Sequence, residues 1–268
     1  MSIISSLAVI LYLSTGALLL RRLLKKPGQP CAAKQGLLLP GLIAVVLHGW
    51  ILYHSMFANP AGLDVGFFTI FSSVGWLVAL LLLSAAFRQP IECLGILVLP
   101  FTALALILGQ LSDQHHYLTN ALSGELKFHI IISILAYSLL SIAMVQALLL
   151  YVQDVQLHNK HPGGFIRALP PLQTMENLLF RMIALGFVTL SISLLSGILF
   201  IEDLFAQHLV HKTVLSITAW LLFAVLLWGR WQFGWRGRIA IRWAMSGFIM
   251  LMLAYFGSKF VIELILQR

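Results

Sequence analysis

The chain has 268 residues, 60% of them hydrophobic and only 10% charged, with a net charge of +8 and a mean hydropathy of +0.96. A soluble domain of this size cannot hide so much apolar surface, so lipid is the expected solvent. The cations lie between apolar runs, which speaks for membrane topology and against a nucleic-acid partner. Cys31 and Cys93 lack CxxC spacing and suggest neither a disulfide nor a thiolate metal site, and no CxxCH haem-attachment signature is present.

In chain order, eight apolar segments stand out, at 3–20, 37–57, 66–87, 91–110, 128–152, 177–200, 212–229 and 240–265. The first lacks a basic leader and a small-residue cleavage site, so it reads as a retained span and not a signal peptide. Each segment is helical by length, since lipid-exposed backbone must satisfy its own hydrogen bonds, and none alternates with period two, which speaks against a barrel. The expectation is an all-α polytopic bundle of about eight transmembrane helices. No internal repeat or low-complexity linker divides it, so residues 1–268 read as a single integral membrane domain.

Orientation is read from the cations. Arg21, Arg22, Lys25, Lys26, Lys34, Arg88, Lys160, Arg167, Arg181, Arg230, Arg236, Arg238 and Arg242 fall on one side of a single threading. Lys127, Lys212, Lys259 and Arg268 fall on the other. The positive-inside bias makes the first side cytoplasmic and places both termini outside. Trp231 and Trp235 join the arginines near 230–242 as interfacial anchors.

An ionisable side chain within a span is costly and often marks function, which turns attention to the histidines. His158 and His161 belong to the cytoplasmic loop 153–175 and read as solvated. His115, His116 and His208 lie in external loops, and His54 near the external end of span two. His48 sits deeper, roughly 17 Å along its helix at about 1.5 Å per residue. It reads either as a buried histidine satisfied by a neighbouring helix or as a ligand. His129 and His211 open spans five and seven at similar depth. His129, Ser133 and Tyr137 recur at i, i+4 and i+8, so one helix face carries an imidazole and two hydroxyls. Two facing imidazoles can ligate haem iron from both sides, provided helices five and seven come together. Interfacial histidines bonded to backbone or headgroup are the alternative. No tight Cys/His cluster recommends zinc.

Several motifs resemble the cytochrome c assembly family, the haem-handling membrane proteins of the CcsA/ResC and CcmC type. The stretch from His211 to GWRGRIA (Gly234–Ala240) is similar to that family's C-terminal core, and FHIIISILAYSLL (Phe128–Leu140) to its external-histidine helix. YFGSKF (Tyr255–Phe260) resembles the last span. PPLQTMENLLFRM, HKTVLSITAW, LLWG, GWRGR and LAYFGS look like the small YpjD/HemX-like branch, and the likeness runs along essentially the whole chain. Three features depart from the larger relatives. Only EDLFAQHL (Glu202–Leu209) stands where they carry a long tryptophan-rich loop, Trp228 stands where they have a histidine, and the chain stops at Arg268, short of their last external histidine. The resemblance implies haem binding more firmly than haem attachment to an apocytochrome. It matches His129 to the family's external histidine.

The expected function is therefore a haem-binding protein of the bacterial cytoplasmic (inner) membrane, acting in cytochrome c-type biogenesis or haem delivery at the external face. It would hold haem b non-covalently and catalyse nothing beyond that. His129 and His211 are the iron ligands in this reading, with His48 a further candidate. Lys127 and Lys212 could pair with propionates, and Tyr137 lines the site. Partners are the bilayer, haem and another membrane protein or cytochrome assembly factor. A non-catalytic accessory subunit with a degraded haem site is the alternative. A small-solute transporter is disfavoured by the lack of an inverted repeat and of mid-span carboxylates. The orientation is tested by cysteine labelling from outside intact cells. Positions in 111–126 and 201–210 are expected to react and those in 153–175 to be spared, and the opposite pattern overturns the orientation.

Overall fold

The apolar runs fold as eight helices that are long and apolar enough to cross a membrane. The computed structural model describes residues 2–25, 35–56, 62–89, 91–112, 117–118, 123–159, 169–200 and 207–257. The helices are α1 (Ile3–Lys25), α2 (Leu39–Met56), α3 (Phe67–Ala86), α4 (Gly95–Leu111), α5 (Gly124–His158), α6 (Leu172–Phe200), α7 (Gln207–Phe233) and α8 (Arg238–Met252). A π-helical turn, Leu253–Gly257, continues α8. The only strands among the described residues are two-residue pieces, β1 (Leu63–Asp64) and β2 (Tyr117–Leu118), paired antiparallel.

Two compact units result. The first comprises Met1–Asn120 with Val152–Met175, and the second Ala121–Tyr151 with Glu176–Arg268. In the first unit α1 packs on α2 and α4, and α3 packs on the same two, closing a four-helix ring. Buried leucines fill it, among them Leu82, Leu83, Leu99 and Leu106, around the fully buried Tyr12. Near one end Leu23, Cys93 and Leu169 form a small buried cluster.

Cys93 is disulfide-bonded, which corrects the sequence expectation. Spacing along the chain carried no hint of it. Cys31, the other cysteine, lies outside the described residues. Disulfides persist on the oxidising side of a membrane. Cys93 and the cations Arg21, Arg22 and Arg88 at the same end therefore pull the orientation in opposite directions, and the labelling experiment decides between them.

In the second unit the contacts run α5–α6–α7–α8 and back to α5. Leu140 of α5 lies against Gly186 of α6. Trp220 of α7 stacks on Phe187 of α6, with ring centroids 5.3 Å apart, and donates its indole N–H to Ser191 Oγ at 2.8 Å. Phe223 of α7 occupies the space over Gly247 of α8. Tyr137 of α5 donates its hydroxyl to the Leu251 carbonyl of α8 at 2.6 Å. Small residues at these crossings let the helices approach closely, as membrane packing requires.

Glu176 and the motif GWRGR meet at one end of this unit. Glu176 Oε1 accepts the Gly237 backbone N–H at 2.6 Å, just ahead of α8. Gly237 has φ +57°, in the left-handed region where a side chain would be strained. Arg230 donates to the Trp235 carbonyl at 3.1 Å and lies over the Phe180 ring at 4.7 Å. The Trp235 ring rests directly on Gly229.

α5 and α7 begin several residues before the apolar runs do, because Glu125, Lys127 and Gln207 are compatible with a helix that protrudes from the hydrocarbon. As a result His129 and His211 lie about one turn inside their helices and do not open them.

Any side chain at Gly229 must displace the Trp235 ring, whereas Gly124 faces open space. Gly229→Ala is expected to destabilise the protein by about 1–3 kcal/mol, read as a lower melting temperature in detergent. Gly124→Ala should be neutral or slightly stabilising through helix propensity. Equal melting temperatures for the two variants would refute the packing of this turn.

Candidate functional site

Two histidines within spans are held by named partners, one in each unit. In the second unit His129 is half-buried on α5, and its Nδ1 lies 2.8 Å from Ser196 Oγ on α6. The imidazole packs against Gly197, where a Cβ would stand 3.2 Å from His129 Cε1. One turn further along α5, Ser133 Oγ donates to the His129 carbonyl at 2.6 Å and touches Ser193 Oγ of α6 at 2.7 Å. The i, i+4, i+8 face of α5 is thus divided. His129 and Ser133 face α6, and Tyr137 reaches α8.

Tyr137 is buried, and its ring packs edge-on against Tyr255 and Phe256 of the π-helical turn, with centroids 5.8 and 5.9 Å away. Lys212 of α7 places its ammonium 5.6 Å from the Tyr255 ring centroid, within cation–π range. His211, beside it, is exposed, as is Lys127 in the first turn of α5. Tyr137, Tyr255 and Lys212 are thereby linked, and His129 stands two turns from Tyr137 along α5.

The helix register sets the depth of the two histidines. Ser191 and Trp220 are paired across α6 and α7, and so are Asn177 and Arg230. Continuing from the first pair puts residue 215 of α7 opposite Ser196, and continuing from the second puts residue 211 there. His211 therefore lies within about one turn of His129's level. The contacts described join both histidine-bearing helices to α6 and to α8.

In the first unit His48 is fully buried. Its Nε2 lies 2.9 Å from Ser72 Oγ of α3 and its Nδ1 3.4 Å from the Tyr12 hydroxyl of α1. Both ring nitrogens are thus occupied, and the imidazole ties three helices together. Near it Trp76 donates to the Val45 carbonyl at 2.8 Å. At one end of the unit, fully buried Asp64 accepts from the Gly66 N–H at 2.9 Å and the Thr69 hydroxyl at 2.7 Å, ordering the start of α3. His54 packs against Trp50 and Tyr53 near the end of α2, and His158 is exposed at the end of α5.

His115, His116, His161, Lys259, Glu263 and Arg268 lie outside the described residues, as does the side chain of His208. Among the described residues no three His, Cys, Asp or Glu side chains gather as a metal cluster. The partners that sequence reasoning missed are Tyr12, Ser72, Ser193, Ser196 and Tyr255. Only the spacing of Ser193 and Ser196 with Gly197 offered a signal, as a small polar strip suited to a close helix crossing.

The family model described as cytochrome C assembly protein matches residues 37–266. The inner membrane protein YpjD of Escherichia coli is 35% identical over 270 residues, covering 99% of this chain and 100% of that protein. Protein HemX of Brevibacillus brevis is 23% identical over 81% of this chain and 82% of its own length. The cytochrome c biogenesis protein CcsA of Gloeobacter violaceus is 28% identical over 38% of this chain and 30% of its own. No solved structure matches.

His48→Ala removes the shared partner of two buried hydroxyls, those of Tyr12 and Ser72. Stranding a buried hydroxyl costs about 1–3 kcal/mol, so this variant is expected to melt well below wild type in detergent. Tyr12→Phe should lose less, since Ser72 keeps its bond. If His48→Ala melts like wild type, His48 is not the tie that the geometry describes.

Proposed function

Because the chain belongs to the cytochrome c assembly protein family, we propose that it is a haem-binding protein of the bacterial inner membrane, serving cytochrome c-type biogenesis or haem delivery at the external face. Haem b would be held non-covalently in the second unit, at the end that carries His129 and His211. The observation that carries this reading is an imidazole anchored on Ser196 in the same unit as a linked tyrosine pair and lysine. His129 and Tyr137 belong to α5 and Lys212 to α7, and the three are tied to α6, to α8 and to the π-helical turn through Ser196, Leu251 and Tyr255.

The residues present suit the group. Neutral imidazoles are good axial ligands for haem iron, and His129 and His211 lie at nearly the same level of the ring. Gly197 supports the His129 ring without a side chain of its own. The Tyr137 and Tyr255 rings supply apolar faces next to the Lys212 ammonium, and Lys212 and Lys127 are suited to pair with carboxylates. Haem supplies the iron chemistry. The protein's part is to hold and present the porphyrin, in keeping with its likeness to the cytochrome c biogenesis protein CcsA. The partner is another membrane protein or assembly factor that receives or supplies haem.

One observation favours the accessory reading for the first unit. A haem on His48 would have to displace Ser72 or Tyr12, so a second haem site there is not part of this proposal, and His48→Ala should leave haem content unchanged.

The test is the absorption spectrum of detergent-purified full-length protein, oxidised and reduced. A Soret band is expected. His129→Ala or His211→Ala should convert a low-spin spectrum to high-spin, and the double variant should lose haem. Wild-type protein that binds no added haem, or a double variant with wild-type haem content, would overturn the reading.

A further inference from the structure

We propose that Ser196 is a positioning residue that holds His129 in the tautomer protonated at Nδ1, so that Nε2 presents its lone pair to haem iron. The proposal rests on the haem reading above and adds what sets the chemical state of the ligand.

The argument is a proton count. A serine hydroxyl has one proton to give. Ser196 Oγ lies 2.8 Å from the Ser193 carbonyl oxygen, which can only accept, so its proton is committed there. The same oxygen lies 2.8 Å from His129 Nδ1. That contact is a hydrogen bond only if Nδ1 carries a proton and donates it. A neutral imidazole has a single N–H, so Nε2 is left with its lone pair. Which ring nitrogen is protonated is set by the hydrogen bond the other makes, and here Ser196 makes it.

The surroundings keep this arrangement in place. Ser193 and Ser196 are only 6% and 4% exposed, so water has little access to replace either partner. The Ser133–Ser193 contact fixes α5 against α6 one turn away. Gly197 lets the ring settle against α6, where any side chain would crowd it. The sequence Ser193 carbonyl, Ser196 hydroxyl, His129 Nδ1–H forms a short relay. Ligating histidines commonly donate their second N–H in this way, which orients the ring and strengthens the ligand.

The test uses the full chain in detergent, titrated with haemin, together with nitrogen NMR of the His129 ring in haem-free protein. Ser196→Ala is expected to weaken haem binding on the order of 10-fold or more and to alter the reduction potential. Ser196→Thr, which keeps the hydroxyl, should restore both. In haem-free wild type the ring should be protonated at Nδ1, and Ser196→Ala should shift the population toward Nε2–H. Gly197→Ala should weaken binding as well, by displacing the ring without removing the hydroxyl. Wild-type haem affinity and unchanged ring signals in Ser196→Ala overturn the proposal, as does a wild-type ring protonated at Nε2. If wild type shows the expected ring signals but binds no haem, the haem reading falls, and with it the ligand role, while the Ser196–His129 bond stands.

Discussion

A polar side chain on a membrane helix has no water to turn to, so it must find its partner on another helix or on its own backbone. The interactions between spans described above follow from that demand. His48 meets it with Tyr12 and Ser72, and so draws α1, α2 and α3 together. His129 meets it with Ser196, Tyr137 with the Leu251 carbonyl, and Trp220 with Ser191, closing three of the four sides of the second ring. Leucine and phenylalanine fill the space between, but apolar side chains gain little from one another over lipid tails. The directional contacts are what select one register over its neighbours.

The two histidines held within spans, one fully buried and one half-buried, are anchored differently. His48 spends both nitrogens on protein and becomes a knot between helices. His129 has a hydroxyl partner on one nitrogen and a glycine beneath the ring, at an end where two lysines stand. A fully satisfied imidazole contributes cohesion.

Hydropathy alone located all eight spans, because the solvent demands about twenty apolar residues for each crossing. It misjudged the beginnings of α5 and α7, since a helix need not end where its apolar run does. His129 could be singled out from sequence, as an imidazole above a hydroxyl face and as a match to a family motif. Ser196 offered only its spacing with Ser193 and Gly197, because nothing local says which helix will lie against α5. Tyr12 was hidden from sequence for the same reason, being 36 residues from His48. Cys93 is a further case, for no spacing rule pointed to its disulfide. Sequence exposes what each helix carries, and only packing discloses what each side chain is paired with.

The hydroxyls that bond back to their own helix have a consequence for biosynthesis. Thr15, Ser73, Ser84, Ser138, Ser141, Thr189 and Thr218 each donate to a carbonyl one turn earlier in the same helix. Such residues need no neighbour, so a helix bearing them can leave the translocation machinery alone, with these hydroxyls already satisfied. His48, Trp76, His129 and Trp220 are different, for the partners described for them stand on other helices. Insertion and assembly are thereby separated in time: the back-bonded hydroxyls let each span enter the bilayer singly, and a handful of ring nitrogens then decide which spans belong together.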